Sequence, residues 1–208
     1  MRKTLFATAF TLFFAVTATA NEAALYDPEP PADASFVRVL NATDNASVTA
    51  NINTQPVGFT TSDPLSDYYV KTKGDYTISA GDINEKLSLN SGKYYTIALH
   101  NGKAHLLEDT ILKNPAKATL YVYNMTSSPL SIKAPKFKAT IFENIAPGTS
   151  DSREINAVSF ELIASANDTE LDTLSNVTLK RRQGTSLVFV EDADGKVVSF
   201  AIDNQVKK

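Results

Sequence analysis

The chain has 208 residues, no cysteine and no tryptophan, with 23 acidic against 20 basic residues. Disulfide stapling is therefore excluded, and any core must hold by burial alone. The balance also lacks the basic excess of a nucleic-acid binder, so no nucleic-acid partner is expected.

Residues 1–20 read as an export signal. Arg2 and Lys3 give a basic start, Leu5 to Val16 form an apolar run, and Ala18-Thr19-Ala20 supplies a small-residue cleavage pattern. The mature chain is expected to begin at Asn21 and to carry 18 basic against 23 acidic residues once Arg2 and Lys3 are gone. The apolar run falls short of the roughly twenty residues that a membrane helix needs, and no later stretch approaches that length, so a soluble, non-membrane-spanning protein is expected. With no cysteine at the cleavage point, no lipid anchor is expected, and a short basic signal without disulfides fits a bacterial periplasm.

An arm follows over residues 21–33. Leu25-Tyr26-Asp27-Pro28-Glu29-Pro30-Pro31 is extended by its prolines and carries two apolar anchors. Such an arm packs on its own domain or docks in a partner's groove, and Leu25, Tyr26 and Pro28 are candidate partner-binding residues.

From there the chain reads at period two, with β-branched and aromatic residues between turn signals. Strands are expected at Phe36–Leu40, Asp75–Ser79 and Tyr94–Leu99, the last running through Asn101-Gly102 into Ala104–Leu107. Asn-Gly between alternating runs signals a type I′ hairpin, since both central residues need positive φ. No segment keeps a helical period. The expectation is an all-β protein.

The second half resembles a copy of the first. Phe36-Val37-Arg38-Val39-Leu40-Asn41-Ala42-Thr43 aligns with Thr119-Leu120-Tyr121-Val122-Tyr123-Asn124-Met125-Thr126. Leu87-x4-Gly92 with Tyr95 and Ile97 aligns with Leu179-x4-Gly184 with Leu187 and Phe189, and each copy ends in a hairpin signal, Asn101-Gly102 or Asp194-Gly195. Proline interrupts the pattern at Lys113-Asn114-Pro115-Ala116, as a linker would. The reading is two tandem antiparallel β-sandwich domains, 34–112 and 118–208, joined by a linker at 113–117.

In the first strand of each copy, Val37 and Val39 and their counterparts Leu120 and Val122 are expected to face the core. The opposite faces carry Phe36, Arg38 and Leu40, matched by Thr119, Tyr121 and Tyr123. Side chains so large do not sit bare in water: either both faces are buried inside the protein, the favoured reading, or one is a partner surface. On the second reading Arg38, Tyr121 and Tyr123 join the candidate partner-binding residues. Five Asn-x-Ser/Thr sequons, at Asn41, Asn45, Asn124, Asn167 and Asn176, read as turn chemistry.

No catalytic set is legible. Acyl transfer needs an activated nucleophile, a base and oxyanion donors. The only histidines, His100 and His105, fall on one face of the 94–107 hairpin, opposite Ile97, Leu99, Ala104 and Leu106, and are expected in solvent. Gly148-Thr149-Ser150-Asp151-Ser152 lacks the last glycine of a nucleophile elbow. His100, His105 and Glu108 could in principle ligate zinc, but two sparse surface histidines more often bind nothing, and neither metal nor cofactor is expected. Two basic clusters remain: Lys133, Lys136 and Lys138, read as a solvated face, and Lys180, Arg181 and Arg182, which are candidate polymer-binding residues.

The stretch Ala23-Ala24-Leu25-Tyr26-Asp27-Pro28, then Pro30-Pro31, then Ser35 to Ala42 resembles the N-terminus of the AlgF family, and Arg153-Glu154-Ile155-Asn156 resembles a second family segment. Asp27 stands where the family usually has Gly, and Ala157 where it has Pro, both at turn-like places. The resemblance implies two β-sandwich domains and a periplasmic part in O-acetylation of alginate mannuronate residues. It further implies a non-enzymatic adaptor, with periplasmic SGNH-type acetyltransferases and a membrane-bound O-acyltransferase as partners. The alternative is a carbohydrate-binding module that presents the uronate polymer, with Tyr68, Tyr69, Tyr94 or Tyr121 stacking on sugars.

Overall fold

A computed structural model describes residues 29–43, 48–60, 62–111 and 113–207. Leu25, Tyr26 and Pro28 of the arm lie outside the described residues. Residues Pro31–Lys208 form one compact unit, and it contains both sandwiches.

The first domain is built from β1 (Ala34–Asn41), β2 (Ala50–Ile52), β3 (Gln55–Val57), β4 (Tyr69–Thr72), β5 (Gly74–Ala80), β6 (Ile83–Leu89), β7 (Tyr94–His100) and β8 (Lys103–Asp109). The second has β9 (Ala118–Met125), β10 (Leu130–Ala134), β11 (Ala139–Ile145), β12 (Thr149–Ile155), β13 (Ser159–Ala166), β14 (Thr169–Thr178), β15 (Gly184–Glu191) and β16 (Val197–Asp203). A single 3-10 turn, Pro135–Phe137, interrupts it. The fold is all-β, as its alternating sequence pattern requires.

Sheet orders are β4-β1-β7-β8 and β3-β2-β5-β6 in the first domain, and β12-β9-β15-β16 and β11-β10-β13-β14 in the second. Adding eight to each strand number of the first domain gives the second, so the duplication extends to topology. Pairing is antiparallel except for one parallel pair per domain, β1 with β7 and β9 with β15. The register also corrects the alignment of the later halves. Phe36 lies opposite Tyr94 and Thr119 opposite Gly184. Gly184 is therefore the counterpart of Tyr94, not of Gly92, and Leu187 that of Ile97. Matching the glycines was misleading because they differ in conformation: Gly92 has φ 71°, whereas Gly184 begins a strand.

Alternation gives each inner sheet two apolar faces. Val37 and Val39 meet Ile52, Ile78 and Leu99 in the first core, and Leu120 and Val122 meet Ile132, Leu162 and Phe189 in the second. The outer face of β4-β1-β7-β8 meets the outer face of β12-β9-β15-β16, where Leu40, Leu65 and Ala98 pack on Tyr121, Tyr123, Met125 and Val188. The molecule is a stack of four sheets with three buried seams.

Turn chemistry follows the sequence at Asn101, Asn41, Asn124 and Asn167, whereas Asn176 falls inside β14 and Asn45 lies outside the described residues. Asn101 and Gly102 adopt φ 51° and 71°, closing the hairpin in the expected register, Ala98 opposite His105 and His100 opposite Lys103. The sequons at Asn41 and Asn124 are equivalent turns in which the asparagine Oδ1 accepts from the backbone N–H and hydroxyl of the threonine two residues on. Asn124 is fully buried and its Nδ2 also donates to the Ser128 and Ile145 carbonyls. Asn124→Ala orphans these groups and is expected to lower the unfolding free energy by about 1–3 kcal/mol, read by urea titration. An unchanged midpoint would show that the turn holds without its side chain.

Candidate functional site: the buried interdomain network and the groove beside it

Arg38 occupies the middle of the interdomain seam at 1 % exposure. It sits on β1 in the alternation phase opposite Val37 and Val39, so its strand aims it at the second domain. Its Nε donates to Thr96 Oγ1 at 2.9 Å, one terminal nitrogen to Asn204 Oδ1 at 2.7 Å, and the other to Tyr123 OH at 2.7 Å and Ser186 Oγ at 3.0 Å. The guanidinium lies 4.3 Å over the Tyr68 ring, a favourable cation–π placement. Asp109, at the end of β8, balances the charge from 3.9 Å and accepts from Tyr68 OH and Thr96 Oγ1 at 2.7 Å each, and from Tyr123 OH.

A buried ion is tolerable only when paired and hydrogen-bonded, and both conditions hold. Burial opposes the Arg38 charge, yet Tyr123, Tyr68 and Asp109 hold its pKa above the usual arginine range. Burial pushes the Tyr68 and Tyr123 phenols well up, and that of Tyr121 up to about 12, with Asp109 adding to each. All three are neutral donors at neutral pH. A raised folded pKa stabilises the fold fully below the unfolded value and loses that contribution as pH rises through the folded one. Wild-type stability is therefore expected to fall between about pH 10 and pH 12, and Tyr121→Phe to remove that residue's share of the fall, as followed by circular dichroism.

These placements settle several sequence expectations. Arg38, Tyr121 and Tyr123 are not an open partner surface: they are 1 %, 6 % and 0 % exposed and bonded within the seam. The strand pattern showed that this face needed cover, and the cover is the protein's own second domain. Asp109, Thr96, Ser186 and Asn204 went unnoticed; the legible signal was an arginine in a strand whose copy carries tyrosines. Of the four tyrosines named for the carbohydrate-binding alternative, Tyr68, Tyr69 and Tyr121 are buried, and Tyr94 is half-buried with one face stacked on Phe36, ring centroids 4.2 Å apart.

His100 and His105 are half-buried rather than in solvent, and Thr126, Ser127, Pro147 and Gly148 of the second domain line the cleft they face. Their ring centroids are 6.3 Å apart, and they line a cleft of about 560 Å³ with Ser127 and Glu191. The parts of an acyl-transfer site are near one another here, but the bonding order is wrong for it. The Ser127 hydroxyl donates directly to Glu191 at 2.6 Å, and His100 Nε2 contacts Asn101 instead of a nucleophile. Glu108 pairs with Lys93, and strand alternation turns it away from His105. Among the described residues no cluster of His, Asp or Glu has the arrangement to hold a metal ion.

The Lys180–Arg182 triplet does not act as one patch. Lys180 pairs with Asp203 at 2.9 Å, Arg181 is exposed, and Arg182 turns into a groove of about 470 Å³ at one end of the seam. Of the lysine triplet, Lys133 pairs with Asp168 and Lys136 lies 5.7 Å from the Phe137 ring.

The groove is walled by the interdomain linker, the β14–β15 turn and the C-terminal tail. Glu154 accepts from the Asn114 backbone and Asn156 from Lys117 Nζ, so the segment Arg153 to Asn156 tethers the linker. The tail is held by backbone bonds of Tyr68 to Gln205 and Lys207.

With that geometry in view, a family described as alginate O-acetyl transferase AlgF matches residues 9–186. The chain belongs to the AlgF family. Relatives named alginate biosynthesis protein AlgF are 29% identical in Pseudomonas aeruginosa, covering 93% of this chain and 89% of the relative. In Pseudomonas putida the figure is 31%, covering 86% and 82%, and in Azotobacter vinelandii 31%, covering 78% and 75%. The solved C-terminal domain of AlgF from P. aeruginosa is 26% identical and covers 42% of this chain and 98% of its own, with a TM-score of 0.39. The stretch from Ser35 to Ala42 that resembles the AlgF family covers β1 from Ser35 to its end at Asn41, including Arg38.

Arg38→Met leaves Asp109 as an unpaired buried charge and is expected to lower stability by about 3–5 kcal/mol in urea unfolding. Arg181→Met, on the exposed neighbour of the groove, is expected to change it by less than about 0.5 kcal/mol.

Proposed function

We propose that the protein is a non-catalytic periplasmic adaptor for O-acetylation of alginate, holding acetyl-transferring proteins in fixed relative positions. The observation that carries this reading is the seam. Two sandwiches of one topology are fused through an apolar cluster and a polar network whose charged centre is fully bonded, so the pair forms a single body with a defined orientation. An adaptor needs that property, because effective concentration between two tethered enzymes depends on the geometry of the body between them. Membership of a family named for alginate O-acetylation supplies the pathway. The partners on this reading are periplasmic SGNH-type acetyltransferases and a membrane-bound O-acyltransferase.

The acetyl-relay reading is disfavoured by the Ser127–Glu191 bond, which leaves no histidine-activated hydroxyl in the cleft. Two measurements test the adaptor. In a strain deleted for the gene, the wild-type protein restores acetyl content of the secreted alginate, and Ser127→Ala and His105→Ala variants restore it equally. The purified protein, mixed with an acetyl-ester donor, is expected to show no acetyl adduct by intact-mass spectrometry. A stable adduct that disappears in Ser127→Ala would overturn the adaptor in favour of an acetyl relay.

A further inference from the structure

The groove at the end of the seam has a composition unlike the rest of the surface. The protein as a whole carries more acidic than basic residues, yet the groove is lined by Lys113, Lys117 and Arg182 and by no aspartate or glutamate. Lys117 bonds a neutral amide, Asn156, and forms no ion pair among the described residues, unlike Lys93, Lys133 and Lys180, which each pair with a carboxylate. The apolar content is also concentrated. Ile111 and Val206, 38 % and 45 % exposed, are two of four exposed large hydrophobic residues among those described, and both line the groove.

The walls are fixed in advance. Glu154 and Asn156 hold the linker side, the Tyr68 backbone holds the tail side, and the Arg182 N–H bonds the Lys117 carbonyl across the bottom. A preformed groove asks little ordering of the protein when it is filled. Little tyrosine surface is offered: Tyr68 and Tyr121 are buried, and the half-buried Tyr94 ring has one face stacked on Phe36 and packs edge-to-face with Tyr68. The largest exposed apolar surfaces in the groove are the aliphatic side chains of Ile111 and Val206, which suit aliphatic or aromatic side chains better than a sugar ring.

We infer that this groove is the docking site for a carboxylate-rich, apolar-anchored segment of an acetyltransferase partner, with Ile111 and Val206 taking the anchor and Lys113, Lys117 and Arg182 meeting the carboxylates. The inference rests on the adaptor reading and gives it a location. Complementary charge at a rim acts mainly on association rate and on salt dependence, whereas the apolar floor sets how long the complex lasts.

The test uses the purified mature protein and the purified periplasmic acetyltransferase of the same organism, with binding measured by interferometry. The charge reversal Lys113→Glu/Lys117→Glu/Arg182→Glu is expected to weaken binding by about tenfold or more at physiological salt. Wild-type affinity is expected to fall as salt rises, and that of the variant not to. Ile111→Ser/Val206→Ser is expected to speed dissociation, and the reversal Lys136→Glu/Lys138→Glu, elsewhere on the surface, to leave binding unchanged. If the triple reversal shifts the urea midpoint, the neutral set Lys113→Gln/Lys117→Gln/Arg182→Gln replaces it and is expected to weaken binding with the fold intact.

The outcomes separate the two claims. Tight wild-type binding that the groove variants leave untouched overturns the docking site and leaves the adaptor standing. No wild-type binding to the acetyltransferase overturns both. Wild-type binding of mannuronate oligosaccharides, lost in the triple reversal, overturns the protein occupant in favour of the polymer. Reversal-sensitive dimerisation in sedimentation overturns it in favour of a second copy of this chain.

Discussion

One ion pair, Arg38 with Asp109, constrains the whole arrangement of this protein. Placing a guanidinium and a carboxylate where no water reaches them carries a large desolvation penalty, and the pair alone does not repay it. The chain solves this with partners from both domains: Thr96 and Tyr68 from the first, Tyr123, Ser186 and Asn204 from the second. No rotation or slide of one sandwich on the other keeps all of these bonds. The apolar contacts of Leu40, Ala98, Tyr121, Met125 and Val188 drive the two sheets together without specifying direction. The polar network selects one orientation out of the many such contacts would permit.

The duplication explains how such a seam can arise. Because the copies share topology, their outer faces present equivalent positions, and the seam resembles that of a homodimer joined into one chain. Thr96 and Ser186 are counterparts by strand register, as are Asp109 and Asn204, which flank Tyr94 and Gly184 respectively. At the place equivalent to Arg38 the second copy has Tyr121. A symmetric seam would bury two arginines and two aspartates. The neutral versions in the second copy keep the hydrogen bonds while halving the buried charge, which a low-dielectric seam favours strongly.

The sequence carried the local structure almost completely and the long-range structure only in outline. Period-two alternation exposed the strands and the inward Val37 and Val39, and Asn101-Gly102 fixed its hairpin register, because both signals act over a few residues. The outward row of Phe36, Arg38 and Leu40 showed that something must cover it, but not what, since a partner and a second domain leave the same mark on one strand. The histidines show the same limit. Their strand face was read correctly, and their environment was not, because it is made by loops such as that of Ser127, distant in sequence. The groove was least legible of all. Arg182 could be noticed as part of a basic triplet, but Lys113, Lys117, Ile111 and Val206 come from a linker and a tail that have no periodicity to read.

Gly184 links the seam to the groove. A Cβ at this residue would lie 2.7 Å from the Asn204 side-chain nitrogen and 3.0 Å from the Tyr121 ring, so any other residue must displace one of them. Asn204 is bonded to Arg38 and Ser186, and the Tyr121 hydroxyl to the Thr110 carbonyl at the start of the linker. Asn204, Tyr121 and Tyr68 therefore belong both to the network that orients the domains and to the wall of the groove. The groove has its shape only when the two sandwiches hold their bonded orientation, because Tyr68 and Tyr94 of the first line it together with Thr119, Tyr121 and Gly184 of the second. A surface of this kind reports the assembled state of the body behind it: a segment that fits recognises the locked pair of domains and not either one alone.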